Sequence, residues 1–303
     1  MLTYIAEKEG YNMKINKISF ITPIKEVYET DIVLEKSYSQ ELHLLNGTEI
    51  SLCSDQGKRK NQEDCIAITE KNGYILLLVA DGMGGMSYGE LASYTTAETI
   101  KKWLDTEDKN SLKLLNESNF EDVLNALIYL ISTNIPAYCG STLNMSIIGP
   151  KKTLIANVGD SRTYIIKDGK LSLLTKDDSV VFRKYNPKTT EEREKLRFHR
   201  KNNVITNSIN KNTFPKIKII TINNNDYDIL CHLTDGVSDF LSESLIQTYI
   251  QSENPAITLV NNSTKGTDIH SDYIDSEFRN IIHPGEDNAT AIVYTKKKTR
   301  ITN

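Results

Sequence analysis

Five times in this 303-residue chain, a run of β-formers or a Gly turn leads straight into an aspartate. The first segment runs from Ser54-Asp55-Gln56-Gly57 to Asn61-Gln62-Glu63-Asp64, and the second is Val79-Ala80-Asp81-Gly82-Met83-Gly84-Gly85, followed by Gly89-Glu90. The others are Val158-Gly159-Asp160-Ser161-Arg162, then Leu233-Thr234-Asp235-Gly236 with Asp239 close behind, and Gly285-Glu286-Asp287-Asn288. A strand end places a side chain rigidly. A glycine after it lets the backbone turn tightly and bares its carbonyl oxygen. One Asp-Gly alone is more often a surface turn than a ligand. Five such strand ends gathered on one sheet edge would crowd carboxylates together, and crowded carboxylates need a cation.

The rest of the pattern supports strands that could gather in this way. Short β-rich runs recur at 75–80, 143–148, 154–158, 163–166, 217–222, 229–233 and 290–294. Asp168-Gly169 lies between two of them and reads as a hairpin turn. Helical stripes cover 88–104 and 120–135. The second puts Phe120, Val123, Leu124, Leu127, Leu130 and Ile131 on one face, with Asn119 as cap and Pro136 past the end. A third helix, 191–198, is short and charged. Many short strands with a few helices predict an α+β fold, antiparallel sheets with helices packed outside. Residues 17–33 carry enough β-formers for one or two strands, the first dozen residues read equally well as disordered, and 251–286 reads as a long polar loop or insertion.

Several function classes are disfavoured. A net charge of −4 and a pI of about 5.8 give no basic excess for nucleic acid. Cys53, Cys65, Cys139 and Cys231 form no CxxC pair, and the five histidines are scattered, which argues against a thiolate or imidazole metal site. The longest apolar run, 75–80, is too short to span a bilayer, and the N-terminus turns acidic before a signal peptide could form. A reduced cytoplasmic setting, with neither membrane nor nucleic acid as partner, is the expectation. Neither a GxxxxGK[ST] loop nor a GxGxxG opening a helix is present.

Oxygen-only ligands favour magnesium, manganese or calcium over zinc. Two such ions about 4 Å apart can hold a bridging water, lower its pKa and supply hydroxide to a phosphate ester. They also offset charge developing on the phosphoryl oxygens. An arginine nearby would grip the phosphate through paired N–H donors, and Arg59, five residues before Asp64, is placed for that.

In order and wording these segments resemble the metal-dependent type 2C (PPM) serine/threonine protein phosphatases, from about Ile50 to Tyr294. The resemblance implies a four-layer architecture, a central antiparallel β-sandwich flanked by helix pairs, with a dinuclear site at one end. It implies a phosphatase domain over 46–297, with 1–45 an N-terminal extension of unassigned role and 298–303 a tail. Carried over by position, Asp81 resembles the carboxylate bridging both ions, and Gly82 the backbone-carbonyl ligand. Asp235 and Asp287 resemble ligands of the other ion. Glu63 and Asp64 match the acidic pair that holds metal directly or through water. Arg59 matches the phosphate-binding arginine. Asp160 and Asp239, with Asp235, resemble a weaker third metal site. Gly140-Ser141-Thr142 matches a structural Gly-Thr segment, and Asn288 is expected to fix the turn beside Asp287. The implied activity is hydrolysis of phosphoserine and phosphothreonine in proteins by a metal-bridging hydroxide, with two Mg2+ or Mn2+ ions. The implied partners are a phosphorylated protein and a cognate Ser/Thr kinase or its targets.

This chain departs from the family pattern at four places. Met83 stands where many animal members have histidine. Leu174-Thr175-Lys176-Asp177-Asp178-Ser179 has Asp178 in place of histidine, and Ile209-Asn210 closes the expected flap, 180–210, in place of Leu-Gly. The stretch before Asp287 is long. Two rival readings stand beside the phosphatase: a catalytically weak phosphatase-like binding or regulatory module, and an unrelated metal hydrolase of small phosphoesters. The complete acidic set favours an enzyme.

Overall fold

In a computed structural model, Leu76 and Leu78 face one way and Leu77 and Val79 the other, all four fully buried. Side chains alternate across a strand, so an unbroken apolar run means burial on both faces. That strand is therefore central, with a second sheet on one side and helices on the other. The structure describes residues 18–27, 32–44, 47–84, 88–271 and 276–296, and the backbone at 6–7 and 14–15. The first dozen residues, Gly85 and the 298–303 tail lie almost wholly outside these spans, so the expectations about them are untested.

The chain enters through strands β1 (Ser19–Ile21), β2 (Ser37–Leu44), β3 (Glu49–Asp55), β4 (Asp64–Lys71) and the central β5 (Tyr74–Gly84). Helices α1 (Gly89–Thr106) and α2 (Glu117–Asn134) follow, then β6 (Leu143–Ile148), β7 (Lys152–Val158), β8 (Arg162–Lys167) and β9 (Lys170–Leu173). Two short helices, α3 (Val180–Tyr185) and α4 (Thr190–Leu196), lie in the expected flap. The chain then runs through β10 (Lys218–Asn223), β11 (Ile229–Leu233), helix α5 (Pro255–Lys265) and β12 (Ala289–Thr295). Among these strands one sheet runs β2-β3-β12-β11-β8-β9 and the other β1-β4-β5-β6-β7-β10, with every neighbouring pair antiparallel, and Lys14–Ile15 adds a short parallel pairing on the β2 edge.

Three apolar layers hold the stack together. Between the sheets lie Ile50, Leu52, Ile66, Leu77, Leu230 and Ile292. Outside the second sheet, Leu76, Leu78, Ile100, Phe120 and Leu124 pack α1 and α2 against it. Outside the first, Cys231, Leu233, Leu259, Val260 and Val293 do the same for α5. Each fully buried Leu or Ile contributes about 2 kcal/mol, so these layers, not the polar edges, carry the fold. The result is the expected helix–sheet–sheet–helix order.

Three local expectations are corrected. The cap of α2 is Asn116, which accepts the backbone N–H groups of Ser118 and Asn119, while Asn119 is its reciprocal partner in a capping box. Residues 251–286 are not a plain loop: α5 occupies Pro255–Lys265, with proline at its first turn and Gly266 at its end. A two-strand pairing of Ile269–His270 with Ile281–Ile282 follows it. Residues 19–44 are also more regular than expected: β1 pairs with β4, β2 pairs with β3, and a hairpin joins Ile24–Val27 to Ile32–Leu34. The expected turn at Asp168-Gly169 is present, both residues in left-handed backbone between β8 and β9. Among the described residues no helix is long and apolar enough to cross a membrane.

Candidate active site

The register Asp64↔Asp81 puts two carboxylates side by side at one end of the second sheet. Asp64 opens β4 and Asp81 lies near the end of β5. From the first sheet, Asp235 follows β11 by two residues and Asp287 precedes β12 by two. Asp160 follows β7 by two. The two sheets therefore deliver their acidic residues to a common end of the sandwich.

Close backbone packing sets this geometry. A Cβ on Gly82 would sit 2.1 Å from the Gly89 carbonyl oxygen, and one on Gly236 would sit 1.8 Å from that of Asn288. Only glycine fits at either place, which is why both Asp-Gly pairs are more than turns. Asp81 is anchored on both sides: its N–H donates to Thr142 Oγ1 (2.9 Å) and its carbonyl accepts the Thr142 N–H (2.8 Å). Thr142 thus holds the strand end that carries Asp81.

The electrostatics are those of carboxylates confined together. Burial, then repulsion from Asp64, Asp287 and Asp160, pushes Asp81 well above the usual carboxylate range. Burial, then Asp81, Asp287 and Asp160, does the same to Asp235. Burial pushes Asp64 up to about 7. Burial, then the neighbouring Glu90, pushes Glu63 up to about 7 as well. Asp287 rises less because Arg59 opposes the effect of burial. Burial pushes Asp160 well up, followed by Asp177 and Asp239, and Asp239 itself reaches about 6.

Arg59 is half-exposed and committed within the protein. Its Nη2 donates to Asp287 Oδ2 at 2.7 Å and its Nε to the Glu286 carbonyl at 3.0 Å. Asn288 does more than fix its own turn. It accepts the Glu63 N–H and donates to the carbonyls of Gln56 and Asn61, tying the whole Arg59 loop to the Asp287 strand.

These residues fit a hard divalent cation. Every side-chain donor is oxygen. Asp64 Oδ1 and Asp160 Oδ1 are buried with no hydrogen-bond partner. Among the described residues no three acidic, His or Cys side chains already enclose a single point. The fit therefore rests on donor chemistry, unpartnered oxygens and mutual repulsion that a cation would relieve.

A polar cavity beneath the flap adjoins this end and is lined by Asp160, Arg162, Asp177, Arg197, Asn202 and Asp239. Arg162 and Asp177, both nearly fully buried, meet through three N–H···O contacts of 2.7–3.1 Å. Asp239, assigned by resemblance to a third cation, accepts Asn202 Nδ2 at 2.7 Å and lies 3.7 Å from Arg162. The Arg162–Asp177 pair was missed in the sequence, where Asp177 reads as one of two adjacent acids. Asp178, the departure from the family pattern, accepts Asn207 Nδ2 (2.8 Å) and the Lys218 ammonium, joining the start of the flap to its end.

Comparison with known proteins follows the same lines. A family model described as protein phosphatase 2C matches residues 54–265. A putative protein phosphatase 2C-type from Streptococcus pyogenes serotype M6 is 30% identical over 212 residues, covering 67% of this chain and 85% of the relative. The solved serine/threonine phosphatase of S. agalactiae superposes with a TM-score of 0.65 at 26% identity, covering 82% of this chain and 99% of that one. The catalytic domain of the serine/threonine protein phosphatase PstP, solved with two manganese ions, gives a TM-score of 0.57 at 22% identity, covering 82% and 97%.

Proposed function

The chain belongs to the protein phosphatase 2C family of serine/threonine protein phosphatases, and on that premise we propose that it hydrolyses phosphoserine and phosphothreonine in proteins at the acidic end of its sandwich. The observation carrying this reading is the meeting of strand-end carboxylates from both sheets beside Arg59. Asp81 would hold two divalent ions, Gly82 would add its carbonyl to one, and Asp235 and Asp287 would hold the other. Glu63 and Asp64 would complete the set, directly or across a water. Asp160, Asp235 and Asp239 would take a weaker third ion. Either Mg2+ or Mn2+ suits these donors. When bound, the ions would activate water for direct attack on phosphorus and neutralise the phosphoryl oxygens.

The remaining roles belong to the chain itself. Arg59 grips the phosphate through its planar fork, and leaving Asp287 frees the Nη2 donor now spent on that carboxylate. Cation binding favours that exchange, because it neutralises the carboxylate that holds the arginine. Met83 carries no proton to give, so the departing serine or threonine oxygen takes its proton from water. The buried Arg162–Asp177 pair and the Asp178 contacts hold the flap beside the site. The substrate is a phosphorylated protein, the product of a Ser/Thr kinase.

Phosphate release from a phosphothreonine peptide tests this reading, with EDTA, Mg2+ or Mn2+, for wild type and Asp81→Asn side by side. Metal-dependent release that vanishes in a folded Asp81→Asn protein supports it. Near-normal turnover by that variant overturns the site assignment, and no release by wild type under any metal favours the binding module.

A further inference from the structure

Behind the cation site lies a closed ring of hydrogen bonds whose members other than Asp64 have no part in the roles above. Its members are Asp64, Thr234, Thr290, Ser54 and Gln62, each no more than 2% exposed. Thr234 Oγ1 donates to Asp64 Oδ2 at 2.9 Å and accepts the Thr290 N–H at 3.0 Å. Thr290 Oγ1 meets Ser54 Oγ at 2.8 Å. Gln62 Nε2 donates to Ser54 Oγ (3.0 Å), and Gln62 Oε1 accepts the Asp64 N–H (2.9 Å), which closes the ring.

The Asp64 N–H fixes the orientation of the Gln62 amide. The Gln62 amide must turn its oxygen to Asp64 and its nitrogen to Ser54. Ser54 accepts that nitrogen and shares a hydroxyl–hydroxyl bond with Thr290 in which either oxygen can donate. The Thr234 hydroxyl donates directly to the Asp64 carboxylate. Oδ2 is held by the protein, while Oδ1 is buried and has no partner.

We propose that Thr234 is a positioning residue: through this ring it fixes the Asp64 carboxylate with Oδ2 on the protein and Oδ1 turned to the cation site. The proposal rests on Asp64 belonging to that site. Residues that orient metal ligands in this way change metal affinity about 10–100-fold when mutated. Valine matches the shape of threonine but cannot donate, so Thr234→Val leaves the carboxylate one hydrogen bond short and free to turn.

The test is Mn2+ affinity of the whole chain by titration calorimetry, with thermal melts to confirm folding, for wild type, Thr234→Val, Thr234→Ser and Asp64→Asn. The expected result is a Kd about tenfold or more weaker for Thr234→Val, a Kd within about twofold of wild type for Thr234→Ser, and a loss for Asp64→Asn at least as large as that for Thr234→Val. Wild-type affinity in a folded Thr234→Val protein, with Asp64→Asn impaired, overturns the positioning role alone. Wild-type affinity in Asp64→Asn overturns the site assignment of Asp64 beneath it. If Thr234→Val does not fold, Thr234→Ala removes the same donor, and wild-type Mn2+ affinity in the folded Thr234→Ala protein overturns the proposal.

Discussion

Arg59 and Asp287 form an ion pair at 2.7 Å, joining the expected phosphate clamp to an expected metal ligand. The two roles compete for the same carboxylate. Arg59 is about half-exposed, so the pair itself is worth little in stability. On the proposed roles, a cation on Asp287 frees the Arg59 donor spent there, so the cation is expected to bind before the phosphate. Arg59→Ala should therefore raise KM for a phosphopeptide at least tenfold while leaving Mn2+ affinity equal to wild type or tighter. Steady-state kinetics beside a Mn2+ titration check this. Metal affinity that collapses with Arg59 would give the arginine a structural role.

Asp81 illustrates the opposition between stability and function. Its folded-state pKa lies well above the ordinary 3.8, from burial first and neighbouring acids second. A carboxylate with a raised folded pKa supplies its stability below the unfolded pKa and loses it as pH rises. At pH 7.5 without metal, Asp81 is therefore a liability. Asp81→Asn should raise the melting temperature in EDTA and abolish the upward shift that Mn2+ produces in wild type. Calorimetric scans with and without Mn2+ read both effects. A melting temperature that falls in EDTA would mean that the repulsion is already relieved within the protein.

The acidic strand ends were legible because Asp followed by Gly at the close of an apolar run is a local signal. The central strand was legible for a similar reason: its run of six apolar residues, 75–80, has no polar face to show water. The ring around Asp64 was not legible. Ser54 and Thr290 are 236 residues apart, and a threonine in a strand looks the same whether it is there for β-propensity or for its hydroxyl. The helix at Pro255–Lys265 carried real signals in its leading proline and closing glycine. Its Asn, Ser and Thr content is poor for helix, and packing of Leu259 and Val260 against the sheet outweighs that. Asn116 and Asn119 differ only in which one ends up outside the helix, a choice made over a single turn.

His232 gives a pH dependence that can be isolated. It is fully buried between the sheets, with Nε2 against Ser146 Oγ (2.8 Å) and Nδ1 against Thr163 Oγ1 (3.1 Å) and Asn144 Oδ1. Burial pushes it down to about 3 from its ordinary 6.5. The folded protein keeps it neutral while the unfolded chain takes up a proton below pH 6.5, so stability falls as pH drops through that window toward 3. The slope is about 1.4 kcal/mol per pH unit, or about 2 kcal/mol between pH 7 and pH 5. The site carboxylates titrate in the same range, so the readout is a difference between proteins. Denaturant melts at the two pH values should show His232→Gln lacking this increment. Equal pH dependence in both proteins would mean that His232 is protonated in the fold.

The segment after α5 straps the flap down. Phe278 packs with Phe198 of the flap, with Phe240 beside Asp239, and with Ile282. Backbone bonds reinforce the contact: Arg279 N–H to the Phe198 carbonyl (2.7 Å) and Arg200 N–H to that of Glu277 (2.9 Å). Glu277 accepts the Tyr185 hydroxyl (2.6 Å) and pairs with Lys184 (2.9 Å), both on α3. All of these strap residues lie past residue 265, where the family match ends. Exposed Glu277 contributes little, whereas Phe278 is 4% exposed and its truncation removes a buried ring. Among the described residues the Phe278 contacts lie on the flap, its base and the strap itself, so the loss should appear as local opening and not as global unfolding. Phe278→Ala should speed amide hydrogen exchange across 180–200 at least tenfold while β5 and β6 exchange as in wild type, and Glu277→Ala should have a smaller effect confined to α3. Unchanged exchange over the flap in Phe278→Ala would leave its position to the Arg162–Asp177 and Asp178 contacts alone.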